Sequence, residues 1–163
     1  MNLAIQPETA LLDGHDLLKL RRSGNFLVRF GSPSRHRDIP MHSGGTRIAM
    51  VWDQIGFVAY EDRPETLMSH FILAFDPEET PERPVTTGQH TIEINGGIVT
   101  GGTSEKTLPQ KGPTPIATDI AKHFFYQTES YSIHFNFERH PNPRSREVII
   151  KHLISVSFTW RNS

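Results

Sequence analysis

The chain has 163 residues, no cysteine and a formal net charge of −1, with 36% hydrophobic and 21% charged residues. A length of this order suits one domain that buries about two-thirds of its unfolded surface. The missing cysteines exclude a disulfide framework, a thiol nucleophile, thiolate zinc sites and iron–sulfur clusters.

Asn2 to Gln6 reads as a short strand stopped by Pro7, whereas Leu11-Leu12 and Leu17 to Leu20 suit either helix or strand. Ser23 to Arg35 predicts a helix of about two turns: Ser23 as cap, Phe26 and Phe30 on one face, Gly31 at the left-handed end and Pro33 forbidding continuation. Arg35 to Gly45, with Pro40, Gly44 and Gly45, is expected as a loop. Arg47 to Tyr60 is the first convincing strand, with Gly56 marking a bulge or a bend between two shorter strands. A turn at Asp62 to Glu65 leads to a strand over Leu67 to Phe75 that sets Phe71, Leu73 and Phe75 on one face.

Asp76 to Pro84 holds four acids and three prolines and offers too little apolar surface to bury, so an exposed loop is expected. Asn95-Gly96-Gly97, whose residues tolerate positive φ, signals a hairpin within His90 to Thr100. Gly101 to Pro115 is rich in glycine and proline and predicts a mobile loop. Thr118 to Tyr126 suits a short helix or a strand from His123 to Thr128, and the adjacent Phe124, Phe125 and Tyr126 favour the strand. Tyr131, Ile133, Phe135 and Phe137 alternate with Ser132, His134, Asn136 and Glu138, the pattern of a strand with one buried face. Pro141 to Ser145 then turns the chain into an antiparallel return over Val148 to Trp160. The expected architecture is α+β, mainly antiparallel β, a twisted sheet or two-sheet sandwich with one or two short helices in a single domain, residues 1–163.

Nothing along the chain approaches the roughly 18 apolar residues of a membrane helix, and Met1 to Glu8 lacks a secretory signal, so a soluble cytoplasmic protein is expected. Charge is distributed in blocks. Asp13 to Arg47 carries seven basic and three acidic residues, Asp53 to Glu93 nine acidic and two basic, and Ile94 onward eight basic and five acidic. Such blocks can give a fold one acidic and one basic flank, or can neutralise each other on a solvated surface.

Motifs for chemistry are sparse. The nine histidines lack the close spacing of a metal motif, although His134 and Glu138 on one strand and His152 on its partner form a candidate ladder. No Gly-x-Ser-x-Gly elbow is present, and Gly96-Gly97 and Gly101-Gly102 lack the lysine–serine pair of a phosphate loop. Arg21-Arg22 and Arg35-His36-Arg37, with Phe26 or Trp52 for stacking, have the residue types of a nucleic-acid surface, but a pI near 6.8 argues against one. Adjacent acids such as Glu61-Asp62 and Glu78-Glu79 point apart in an extended chain and make a poor glycosidase pair. Trp52-Asp53-Gln54-Ile55-Gly56 has the composition of a bulged site, or of a core tryptophan followed by a turn.

The order of a short helix, Gly31-Ser32-Pro33-Ser34-Arg35, Val51-Trp52-Asp53-Gln54-Ile55-Gly56-Phe57 and an Asn95-Gly96 hairpin resembles small bacterial β-rich domains associated with polymorphic toxin immunity. The resemblance runs from Ser23 to Thr100; Arg37 to Gly45 and the chain beyond Gly101 fall outside it. It implies a protein that binds and blocks a cognate toxin, and it transfers no catalytic residue. The corresponding expectation is a stoichiometric protein inhibitor without a cofactor. Its contact set would be Asp53, Asp62, Glu65, Asp76, Glu78, Glu79 and Glu82, with Trp52 or Tyr60 as anchor. The alternatives are a metal-dependent enzyme using His134, Glu138 and His152, and a structural or secretion-accessory domain that assembles through sheet edges. The oligomeric state stays open.

Overall fold

The computed structural model describes residues 1–6, 8–42, 44–63, 66–76, 84–109, 116–118, 124–141 and 148–161. It is mostly β, with 56% of residues in strands, one helix and two mostly antiparallel sheets that form no barrel, in agreement with the expected α+β sandwich.

The smaller sheet is built from β1 (Asn2–Gln6), β2 (Thr9–Leu12), β3 (His15–Asp16), β8 (Thr91–Ile94) and β9 (Gly97–Val99), in the order β3-β2-β1-β8-β9. Its one parallel contact joins β1 to β8. The β8–β9 turn is the expected hairpin, with Asn95 at φ 53° and Gly96 at φ 72°.

The larger sheet is antiparallel throughout. It contains β4 (Arg35–Pro40), β5 (Thr46–Trp52), β6 (Phe57–Arg63), β7 (Leu67–Ala74), β10 (Ala117–Thr118), β11 (Phe124–Gln127), β12 (Tyr131–Pro141) and β13 (Val148–Trp160). Their order is β10-β11-β12-β13-β7-β6-β5-β4.

Two expectations are corrected in this sheet and in α1 (Ser23–Phe30). Arg35 to Pro40 is strand, not loop, because six residues pair with β5 from Arg35–Val51 to Pro40–Thr46. Of the alternatives for Arg47 to Tyr60 the structure has two shorter strands joined as a hairpin: a 3-10 turn over Asp53–Ile55 and a left-handed Gly56 (φ 65°, ψ 42°) divide β5 from β6. In α1, Arg22 occupies the N-cap without a side-chain cap bond, so Ser23 is the first helical residue; Gly31 has φ 72° and its N–H donates to the Leu27 carbonyl. Of Gly101 to Pro115, expected as a mobile loop, residues 101–109 are described and tied to the sheet. The Thr103 hydroxyl accepts from Thr100 N (2.9 Å), the Thr103 carbonyl from Leu153 N (3.2 Å), and Leu108 is buried. Residues 110–115 lie outside the described residues.

One core lies between the layers. Leu3, Ile5, Leu12, Ile92, Ile94 and Val99 of the small sheet join Phe135, Val156, Phe158, Phe71 and Phe57 of the large sheet and Phe26 of α1. Two polar tips lock this stack. The Trp160 indole N–H donates to the Leu17 carbonyl (3.1 Å), and the Tyr131 hydroxyl donates to the Gln6 carbonyl (2.7 Å). Burial pushes the Tyr131 phenol well above its ordinary value, so it remains a donor. Phe26 is the aromatic hub, with ring centroids 5.4–6.4 Å from Phe30, Phe57, Phe71 and Trp160. Truncation of a buried aromatic costs about 3–5 kcal/mol. Phe26→Ala should therefore lower the unfolding free energy by that amount, read as a lower denaturant midpoint with an unchanged m-value; a loss under about 1 kcal/mol would show that α1 is not part of the core.

Candidate functional site

The strongest polar assembly stands where β5 turns into β6. Asp53 opens that turn, and its carboxylate takes a bidentate contact from Arg35 at the start of β4, Nε at 3.0 Å and Nη2 at 3.1 Å. The same carboxylate accepts from Val85 N (2.9 Å), the Asp53 carbonyl accepts from the Thr86 hydroxyl, and the Asp53 N–H donates to Ser34 Oγ (3.1 Å). The Arg35 hydrogen bonds hold the Asp53 carboxyl below its usual range, with burial opposing and the Val85 N–H assisting. One carboxylate thus ties together the first residue of β4, the β5–β6 turn and the chain that returns after the acidic stretch.

The other end of that stretch is fixed at the end of β7. A bulge at Ile154 interrupts the β12–β13 ladder, where Asn136 pairs with Ser155 but Phe137 with Leu153. The Ile154 carbonyl accepts from Phe75 N (2.9 Å) and Asp76 N (3.1 Å). His152 stands between two carboxylates, with Nε2 3.0 Å from Asp76 and Nδ1 3.2 Å from Glu138. When the imidazole carries both protons, each nitrogen makes a charge-assisted bond. Both boundaries of residues 77–83 are therefore pinned to one end of the large sheet.

The chain that returns from Val85 to His90 forms a strap against the β5–β6 turn, and its last residue, His90, is only 3% exposed. Its Nε2 is 3.0 Å from the Gly56 carbonyl, which can only accept, so Nε2 carries the proton and the buried Nδ1 is left without a partner among the described residues. Its ring meets Phe75 edge-on at 5.5 Å. A β-carbon on Gly56, already at φ 65°, would collide with the Gly88 backbone, and one on Gly88 would collide with the His90 ring, so two glycines let the strap lie against the turn. Desolvation lowers the His90 pKa from 6.5 to about 4.

The described members of the expected contact set, Trp52, Asp53, Tyr60, Asp62 and Asp76, do not form one patch. Trp52 is 5% exposed, its indole N–H donating to the Gly31 carbonyl (3.2 Å), because position 52 falls on the core face of β5. Tyr60 is also buried and stacks on His70 at 4.0 Å. Asp62 accepts a bidentate contact from Arg47 at the end of β6 remote from Asp53. Asp53, Asp62 and Asp76 each face a basic side chain. Glu65, Glu78, Glu79 and Glu82 lie outside the described residues.

The histidine ladder is assembled in part. Glu138 meets His152, but His134 stacks on Phe125 at 6.1 Å, and the Asn136 amide lies between, donating to Ser155 and Ser157. Both His152 nitrogens are committed to carboxylates, and among the described residues no three of His, Asp or Glu are arranged to hold a metal ion. Also among the described residues, no helix is long and apolar enough to cross a membrane. Compared with known proteins, the chain matches no family model, no curated protein and no solved structure.

Because His90 binds a proton in the unfolded chain near pH 6.5 and in the folded one only near pH 4, stability should fall as pH drops through that window, by roughly 3 kcal/mol in all. Asp53, with its lowered pKa, adds stability above its ordinary value of 3.8 that is lost only at lower pH. Unfolding free energies at pH 7, 5 and 4 should show the first loss in the native chain and not in His90→Gln; equal slopes in both would disprove it.

Proposed function

We propose that the protein is a protein-binding module, a stoichiometric inhibitor of the toxin-immunity type, that meets its target with the acidic segment between β7 and β8. The observation that supports this reading is the double anchorage of that segment. Asp76 is fixed by the Ile154 carbonyl and His152, and Val85 and Thr86 are fixed by Asp53. Between the anchors the sequence carries Glu78, Glu79 and Glu82 among Pro77, Pro81 and Pro84. A segment with both ends held loses less entropy on binding than a free tail. A concentration of carboxylates accelerates encounter with a basic surface in a salt-dependent way. A protein active site that handles phosphates or nucleic acid has such a basic surface.

The resemblance from Ser23 to Thr100 points in the same direction, since its carrying residues, Gly31 to Arg35 and Val51 to Phe57, contain both partners of the Arg35–Asp53 anchor. Co-expression with the product of an adjacent reading frame that arrests growth should restore growth. Glu78→Lys, Glu79→Lys and Glu82→Lys together should slow association at low salt by at least tenfold and flatten its salt dependence. Growth that stays arrested, or a triple variant that associates like the native chain, would contradict the proposal.

A further inference from the structure

The strap from Val85 to His90 is held by contacts distinct from those that hold the end of β7. Val85 N and the Thr86 hydroxyl meet Asp53, Gly88 N donates to the Ala74 carbonyl (3.3 Å), and His90 Nε2 donates to the Gly56 carbonyl (3.0 Å). That Gly56 carbonyl also accepts from Ala74 N (2.9 Å), so β7 keeps its tie to the turn when the strap leaves. Beyond β7, Phe75 N and Asp76 N are held by the Ile154 carbonyl. Beside the His90 ring lies a cleft of about 440 Å³ lined by Phe75, Gly88, Gly101 and Gly102, a route by which the ring can reach water.

From these features we infer that the strap is an acid-released latch: protonation of His90 frees residues 85–90 from the β5–β6 turn, while the β7 end of the acidic segment stays fixed by Ile154 and His152. The neutral ring suits its site, with Nε2–H on the Gly56 carbonyl and Nδ1 buried without a partner among the described residues. A second proton on Nδ1 meets no acceptor there, and burying the charge carries the desolvation cost that lowers the pKa to about 4. The charged groups around the ring do not offset this cost. The Met1 ammonium at the start of β1 donates to the Gln89 carbonyl (3.1 Å) and repels an imidazolium, and Asp13, after β2, attracts it less strongly. The Gly56 carbonyl of the β5–β6 turn favours the charged ring but is outweighed by burial. Phe75 at the end of β7, Gly101 and Gly102 bring nothing ionisable.

The opposite boundary responds in the opposite sense. His152 lies between Asp76 and Glu138, and only the doubly protonated ring donates to both carboxylates, at 3.0 and 3.2 Å. Mild acid, above the range in which carboxylates take up protons, therefore loosens one end of the segment and completes the contacts at the other. A segment held at both ends becomes one held at a single end and regains the chain entropy that the second anchor had removed, which weakens binding. For a stoichiometric inhibitor the result is a partner held at neutral pH and let go in acid. That consequence rests on the reading of the acidic segment as the docking element, whereas release of the strap does not.

Amide exchange of the full chain from pH 7 to pH 5, corrected for the intrinsic rate, reads the latch without any partner. A released ring takes up its proton near 6.5 and a latched one near 4, so opening at Val85 and Gly88 should rise about twentyfold over that range. The opening should be insensitive to low denaturant, as local release is, with Ala74 and Phe75 at least tenfold better protected at pH 5. His90→Gln keeps an amide donor for the Gly56 carbonyl and takes up no proton, so it should flatten the rise. Ring nitrogen shifts of the native chain follow the protonation of His90 itself. An equal rise in His90→Gln would overturn the inference. So would an opening at Gly88 that needs denaturant and equals that at Ala74 and Phe75, or a His90 that titrates near 6.5 with the strap amides still protected. The last two results come from the native chain alone, whatever the stability of the variant. None of these readouts involves Glu78, Glu79 or Glu82, so failure here leaves the acidic-segment proposal standing, and failure of the charge-reversal test leaves the latch standing.

Discussion

The Asp53 carboxylate is the constraint on which this end of the large sheet depends. A half-exposed ion pair is worth little by itself. This one is bidentate, shares its acceptor with a backbone N–H, and sits where three chain segments meet: β4 at Arg35, the turn into β6, and the strap beginning at Val85. Remove the charge and the Arg35 side chain and the Val85 N–H lose their shared acceptor, so the start of β4 and the end of the acidic stretch loosen together, although the β4–β5 ladder and the Thr86 contact to the Asp53 carbonyl remain.

The rest of the fold gives that corner a rigid base. Phe26, Phe57, Phe71, Phe158 and Trp160 form an aromatic stack beneath β6, β7 and β13, and the small sheet closes the same core from the other side. Gly56 and Gly88 bring the strap into contact with the turn, and His90, its last residue, is buried with one nitrogen unpartnered among the described residues. Burying an uncharged histidine there makes the corner sensitive to acid. The Ile154 bulge and the Asp76–His152–Glu138 contacts secure the far boundary.

Much of the architecture was legible in the sequence wherever one face of a strand is buried and the other is wet. The alternation from Tyr131 to Phe137, the Asn95-Gly96 turn and the break after Phe30 each carry a local signal that tertiary structure respects. The Arg35 to Pro40 strand was not legible, because an edge strand with charges on both faces shows no apolar period and owes its conformation to β5. Gly56 signals an interruption in the sequence, yet a glycine alone does not distinguish a bulge from a hairpin turn.

The site was less legible, for a related reason. Arg35 and Asp53 stand 18 residues apart, His90 and the Gly56 carbonyl 34, and His152 and Asp76 76, so no spacing rule brings them together. The Glu138–His152 contact is legible because the two are cross-strand neighbours on a hairpin, where register decides proximity. Trp52 and Tyr60 were candidate anchors by residue type, but their parity in β5 and β6 puts both among buried neighbours. The most direct measurement is native-state amide exchange on the native chain and on Asp53→Ala. The account predicts that protection at Val85 and at the start of β4 falls together by at least tenfold while β6 and β7 stay protected. Undiminished protection at Val85 and the start of β4 in the variant would contradict it.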